Sequence, residues 1–262
     1  MDLGLTGKKA LVLASSRGLG LGIAEALAAE GTEVLLTGRD AEALAANAAA
    51  INARGAGTAH WVASDLSDAG FVEQIAAAAE ATLGRVDILV NNTGGPPPGP
   101  ATAMDEATLA AQAQAMVFHV IALTNRLLPA MQEAGWGRVL TCASSGVLQP
   151  IPNLALSNTL RGALVGWNKT LANEVAASGV TCNMLLPGRV HTDRVDQLDA
   201  AAAKRTGKDI DAVREGSRAT IPAGRYGTVA EFGAVAAFLC SGPASYMTGS
   251  VIRCDGGAIK SV

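Results

Sequence analysis

Aromatic side chains are scarce in this chain: phenylalanine, tryptophan and tyrosine together make up 3% of its 262 residues. Packing must then fall to Ala, Val, Leu and Gly, which suits thin helix layers lying close on a sheet. Cysteine is sparse as well. Cys142, Cys182, Cys240 and Cys254 lie far apart and form no Cys-x-x-Cys pair, which argues against a zinc site or a redox dithiol and reads most simply as reduced thiols in the cytosol. Excess charge of one sign is missing too. A net charge of −3 with 16% charged residues leaves no electrostatic footprint for a nucleic acid or an anionic membrane. No cluster of His, Asp and Glu suggests a metal. Near the amino terminus, Lys8 and Lys9 precede only the short apolar run Ala10–Ala14, too brief for a signal segment or a membrane span. The expected location is cytoplasmic.

What is present is apolar material, 49% of the chain, at a length one α/β core can fill. Strand-like runs occur at Ala10–Ala14, Glu33–Thr37, Thr58–Ala63, Val86–Asn91, Arg138–Cys142, Val180–Leu186 and Ser250–Arg253. Between them lie Ala-rich helical stretches near 18–30, 40–53, 67–83, 105–134, 154–178 and 228–241. Strands alternating with amphipathic helices imply βαβ units with right-handed crossovers. The expected fold is a doubly wound parallel sheet of Rossmann type, one α/β domain over 1–262. Residues 192–224 interrupt this rhythm with charge, and two readings stand: a substrate lid, or a surface helical hairpin. The run from Gly94 to Pro100 is stiff and extended, and walls off the end of the strand before it.

The first strand runs into Ala14-Ser15-Ser16-Arg17-Gly18-Leu19-Gly20, and a helix starts at once. Helix amino termini bind phosphate through free N–H groups and the positive end of the dipole. The full Gly-x-Gly-x-x-Gly is not met, because Ile23 takes the third position; the place of the loop between strand one and helix one carries the reading. The second strand ends in Gly38-Arg39, without the acid that would bind an adenosine ribose. Arg39, with Arg17 opposite, points to the 2′-phosphate of NADP(H); pairing of Arg39 with Asp40 or solvent is the alternative.

With that loop in place, the chain resembles the short-chain dehydrogenase/reductase family over nearly its whole length. Ala14 to Gly20 is similar to the family's Thr-Gly-x-x-x-Gly-x-Gly, Asp65-Leu66 to its adenine-binding aspartate block, and Asn91-Asn92-Thr93-Gly94 to its Asn-Asn-Ala-Gly block. Pro187-Gly188-Arg189-Val190-His191-Thr192 resembles the Pro-Gly block whose threonine holds the nicotinamide amide, and Tyr246 to Gly249 with Asp255-Gly-Gly resembles the carboxyl-terminal signature. The cofactor-binding set this implies is Ser16, Arg17, Gly18, Leu19, Gly20, Arg39, Asp65, Leu66, Asn92, Thr93, Gly94, Arg161, Pro187, Gly188, Val190 and Thr192. A homo-oligomer, tetramer or dimer, and a small-molecule substrate are implied in the same way.

The family's catalytic pattern is not matched. Counting back from Gly166 to Leu171 puts the lysine position on Arg161, the tyrosine position on Ser157, the retained serine on Ser144 and the asparagine position on Met116. The catalytic candidates are therefore Ser144, Ser157 and Arg161. A serine is a poor general acid, and an arginine cannot pass on a proton. Ser144 and Ser145 either polarise a substrate oxygen or merely turn the chain, and Ser157 with Arg161 forms either a functional or an idle polar face. Three activities follow as expectations: NADPH-dependent reduction of a carbonyl or 3-oxoacyl-type compound, reduction of a protonated imine, or NADP(H) binding without turnover.

Overall fold

The computed structural model describes residues 1–261. In chain order its elements are β1 (Lys9–Val12), α1 (Gly18–Ala29), β2 (Glu33–Gly38), α2 (Ala41–Arg54), β3 (Thr58–Ala63), α3 (Phe71–Leu83), β4 (Ile88–Asn91), α4 (Glu106–Ala113), α5 (His119–Glu133), β5 (Gly137–Cys142), α6 (Ala155–Val175), β6 (Val180–Pro187), α7 (Asp193–Thr206), α8 (Ile210–Ala219), α9 (Val229–Leu239) and β7 (Val251–Cys254). The strands form one parallel sheet in the order β3-β2-β1-β4-β5-β6-β7. Chain direction across the sheet therefore reverses between β1 and β4, which opens a crevice beyond their carboxyl ends, the usual ligand position in such sheets.

Inner strands are buried throughout, as sheets covered on both faces require. Side chains alternate between the two layers. Ala10, Val12, Val34, Leu36, Ile88 and Val90 pack with α1, α2 and α9, whereas Leu11, Leu13, Leu35 and Leu89 pack with α3, α5 and α6. Helices α1 and α9 approach by glycine. A Cβ on Gly22 would sit 2.0 Å from Val229 Cγ1, and one on Gly233 would sit 2.4 Å from Gly22 O, so α1 and α9 nearly touch backbone to backbone.

Two places depart from the sequence reading. The helix expected over 105–134 is broken by a π-helical turn, Gln114–Phe118, between α4 and α5. Its exit is held by His119, whose ring sits 2.7 Å from Leu66 O through Nδ1 and 2.8 Å from Gln114 Nε2 through Nε2. Second, α3 starts at Phe71 because Asp65 Oδ1 accepts from Ser67 N and Ser67 Oγ, at 2.9 and 2.8 Å, and turns the chain first. Residues 192–224 form the helix pair α7 and α8, opened by Thr192 and Asp209 as helix caps and joined through Gly207 at φ 66°. Beneath this pair, buried Asp199 meets Arg189 and accepts from Tyr226 Oη at 2.9 Å, tying α7 to the chain that leaves β6.

Candidate active site

The loop after β1 is clasped from both sides. Asn92 Nδ2, from the end of β4, donates to Leu13 O at 3.2 Å and Ala14 O at 3.1 Å. Asn47 Nδ2 of α2 donates to Ser16 O at 2.8 Å, while Ser15 and Thr37 exchange backbone and hydroxyl bonds. These contacts hold the chain so close that a Cβ on Gly20 would lie 2.5 Å from Ala14 O and 2.7 Å from Asn92 Nδ2. Gly18 takes φ 60°, turning the chain into α1. Ala14 takes φ 47° without being glycine, a conformation costing about 1–2 kcal/mol for a residue with a Cβ. Ala14→Gly is accordingly expected to raise stability by about 1 kcal/mol, seen as a higher urea midpoint at unchanged slope.

The amino end of α1 is open. Its N-cap, Arg17, makes no side-chain cap bond, and no acid lies in the first turn, so the orphan N–H groups there are free for an anion. Arg17 and Arg39 flank this end. Arg17 lies 3.7 Å from Asp193 and Arg39 lies 3.8 Å from Asp65, with both guanidinium groups largely exposed. Each pair is loose, and exposed pairs of this kind contribute about 1 kcal/mol or less. Each arginine thus has one acid of its own within ion-pair range. Arg39 leaves Asp40 to cap α2. Asp65 is held below the usual carboxylate range chiefly by the Ser67 backbone and hydroxyl donors, with Arg39 adding to them. Leu66 follows and gives its carbonyl to His119.

On the other side of the crevice lie the ends of β4, β5 and β6. A Cβ on Gly18 would come within 3.7 Å of Thr192 Cγ2, so the β6 exit abuts the β1 loop. Gly188 packs on the Asp255 backbone, where a Cβ would stand 2.6 Å from its Cα, and Val190 bridges Gly227. Pro187 ends β6, and Thr192 caps α7.

Arg161, on α6, is buried and ties two strand ends together: Nη1 donates to Cys142 O at 2.9 Å, and Nη2 lies 3.3 Å from both Thr93 O and Gly94 O. Burial pulls its pKa down to about 10, and repulsion from Arg194 adds to this against the Cys142 thiol. It therefore keeps its charge at neutral pH. Ser157, one helical turn earlier, is buried. Ser144 Oγ accepts from Gly146 N at 3.1 Å, which turns the chain and leaves its own hydrogen free to donate. Both readings of Ser144 are compatible with this geometry; Ser145 opens the short 3-10 turn Ser145–Val147. Met116 lies buried in the π turn beside Leu156 and Leu160. Tyr226 is engaged under α7 and Tyr246 is fully exposed. His191 is largely exposed, 3.5 Å from Asp196.

One residue of the site carries no sequence signal. Arg194, in the first turn of α7, donates from Nη2 to Pro96 O at 2.9 Å and lies over Gly95. Only folding brings α7 against the proline-rich segment.

The family profile described as enoyl-(acyl carrier protein) reductase matches residues 13–258. The chain is 34% identical over 264 residues to the D-beta-hydroxybutyrate dehydrogenase of Cupriavidus necator, covering 97% of this chain and 98% of that one. It is 32% identical over 253 residues to the 3-oxoacyl-(acyl-carrier-protein) reductase of Escherichia coli, covering 96% and 97%. Among solved structures, the L-sorbose reductase from Gluconobacter frateurii complexed with NADPH and L-sorbose superposes with a TM-score of 0.94 at 28% identity, over 100% of each chain. With its seven-stranded parallel sheet and these relatives along nearly its full length, the chain belongs to the short-chain dehydrogenase/reductase family.

Proposed function

We propose that this chain is an NADP(H)-dependent oxidoreductase that reduces a carbonyl group, of 3-oxoacyl type or similar, through an active site that departs from the family pattern. The observation that carries the reading is the open tip of α1, with no cap and no acid, reached by a chain turning at Gly18 and Gly20 and flanked by two arginines. That arrangement fits a coenzyme with a diphosphate and a further phosphate. Ser16 to Gly20 would hold the diphosphate, Arg17 and Arg39 the 2′-phosphate, and Asp65 with Leu66 the adenine. Asn92, Thr93, Gly94, Pro187, Gly188, Val190 and Thr192 would frame the nicotinamide half. When bound, the coenzyme supplies hydride. A solved relative carrying NADPH supports the choice of coenzyme.

In the proposed site Ser144 donates its free hydrogen to the substrate oxygen, and Arg161 stabilises the negative charge that grows there. Ser157 lies on the same face of α6 as Arg161 and completes the polar wall. The proton comes from water or substrate, since neither tyrosine lies in the site and arginine holds its own. The helix pair over 192–224 acts as the lid. Exposed Phe118, Leu148 and Tyr246 give a homo-oligomer, dimer or tetramer, apolar surface to bury.

The missing phenol favours a second reading, reduction of a protonated imine, which needs hydride and no acid. NADPH oxidation is followed with matched ketone and imine pairs. Comparable ketone rates support the first reading, much faster imines the second, and tight NADPH binding without any oxidation a binding protein. For the coenzyme itself, Arg39→Ala is expected to raise the Kd for NADPH by roughly 10- to 100-fold, the value of a charge-assisted contact. NADH should change about twofold at most; equal weakening of both would remove the 2′-phosphate argument.

A further inference from the structure

Resting on the oxidoreductase reading above, we propose that Arg194 and Arg161 form a receptor for an anion on the substrate, so that the compound reduced is an oxo acid, a carbonyl compound that carries a carboxylate. Arg194 is the direct contact, and Arg161 is the buried charge behind it.

Both guanidinium groups lack a carboxylate partner among the described residues. Arg161 is bonded only to the backbone carbonyls of Cys142, Thr93 and Gly94, and Arg194 only to that of Pro96. The two sit on one short stretch of chain. Gly94 and Pro96 are two residues apart, about 7 Å at full extension, and a Cβ on the intervening Gly95 would stand 3.0 Å from Arg194 Nε. Their charges are close enough for Arg194 to lower the pKa of Arg161. Burial also lowers that of Arg194 itself.

Among the described residues nothing nearby cancels this charge. The acids of α7 face other partners: Asp193 meets Arg17, Asp196 meets Arg214 and His191, and Asp199 meets Arg189 and Tyr226. Asp255 is engaged by Gly257 N and Ile259 N. The Cys142 thiol, pushed up to about 12 by burial, stays neutral. Two like charges withdrawn from water at one site are unfavourable unless an anion joins them. Donors remain for one. Arg194 spends one of its two Nη2 hydrogens on Pro96 O, which leaves the other, with the neighbouring N–H of Nε or Nη1, as a planar fork that matches a carboxylate. The coenzyme phosphates proposed above lie at the α1 tip, with Arg17 and Arg39, so they do not account for this second positive centre.

The test uses the full chain and its Arg194→Met variant. NADPH binding is titrated first by its fluorescence. Straight-chain 3-oxo acids of four to ten carbons and their methyl esters are then titrated into the NADPH complex. The expected result is that at least one acid binds ten or more times tighter than its ester. Arg194→Met should abolish that preference and leave the NADPH Kd within about twofold, since losing a charge-assisted contact costs roughly tenfold or more. Acids and esters binding alike, or no acid binding at 10 mM, would overturn the proposal while NADPH binding stands. A rise in the NADPH Kd of Arg194→Met matching its loss for the acids would assign the arginine to the coenzyme instead. Absence of NADPH binding by the unaltered chain would remove the oxidoreductase reading itself.

Discussion

Gly20→Ala is expected to raise the Kd for NADPH by roughly a hundredfold, and to lower the thermal midpoint. The added Cβ would stand 2.5 Å from Ala14 O and 2.7 Å from Asn92 Nδ2. Neither atom can step aside cheaply. Ala14 O is backbone, and Asn92 is fixed by its bonds to Leu13 O and Ala14 O. Either α1 moves off the sheet or the asparagine clasp opens. Overpacking of this kind costs about 1–3 kcal/mol, and each lost hydrogen bond about 1 kcal/mol more. The same displacement carries the α1 tip away from the place where its N–H groups meet phosphate, and about 2.7 kcal/mol there is a hundredfold in Kd. Gly216→Ala is the control. It lies within α8 with nothing inside 4 Å of its Cβ position, so helix propensity should make it more stable by about 1 kcal/mol with NADPH binding unchanged. Fluorescence titration with thermal unfolding reads both variants. Normal NADPH affinity in Gly20→Ala would mean that the coenzyme does not use this loop.

Arg161→Met should lower turnover by about two to three orders of magnitude, the usual effect of removing one stabiliser of an oxyanion. It should also destabilise the fold by roughly 3 kcal/mol, because the carbonyls of Cys142, Thr93 and Gly94 lose their donor in a buried place. Arg161→Lys keeps the charge and is expected to fall between the two. The pH dependence separates catalysis from stability. Burial brings the guanidinium from 12.5 to about 10 in the folded chain. Between those values the unfolded chain binds more protons than the folded one, so this group makes stability rise with pH across that window. Catalysis should move the other way. Its cation disappears as pH passes about 10, and kcat/KM falls. Both effects are read as the difference between the original chain and Arg161→Met, which cancels other titrations. Parallel pH profiles in the two proteins would show that Arg161 serves only to join the strand ends.

Strands were the most legible part of the chain, because strands covered on both faces are short apolar runs. The run Thr58–Ala63 was expected with the bounds it has, although as an edge strand it is partly exposed. The π turn at Gln114–Phe118 was hidden, since an extra residue shifts the helical phase without altering composition. Position carries the reading of the loop after β1: a glycine pair between first strand and first helix means more than the same pair elsewhere. The directions of Arg17 and Arg39 were not legible. Sequence logic brings both to one phosphate; that each also meets an acid, Asp193 for Arg17 and Asp65 for Arg39, from opposite sides of the sheet's switch point, is visible only in the fold. Arg194 was the least visible. It meets a carbonyl 98 residues away, and no local pattern announces such a meeting.

Thr192 joins two events that would otherwise be separate. It begins α7 by capping it, and its methyl group lies 3.7 Å from where a Cβ on Gly18 would stand in the glycine turn. Anything that steadies that turn also steadies the first residue of the helix pair, and by thermodynamic reciprocity the helix pair returns the favour. Proteolytic nicking at the Gly207 bend and hydrogen exchange in α7 should then fall together as residence time on the glycine turn lengthens.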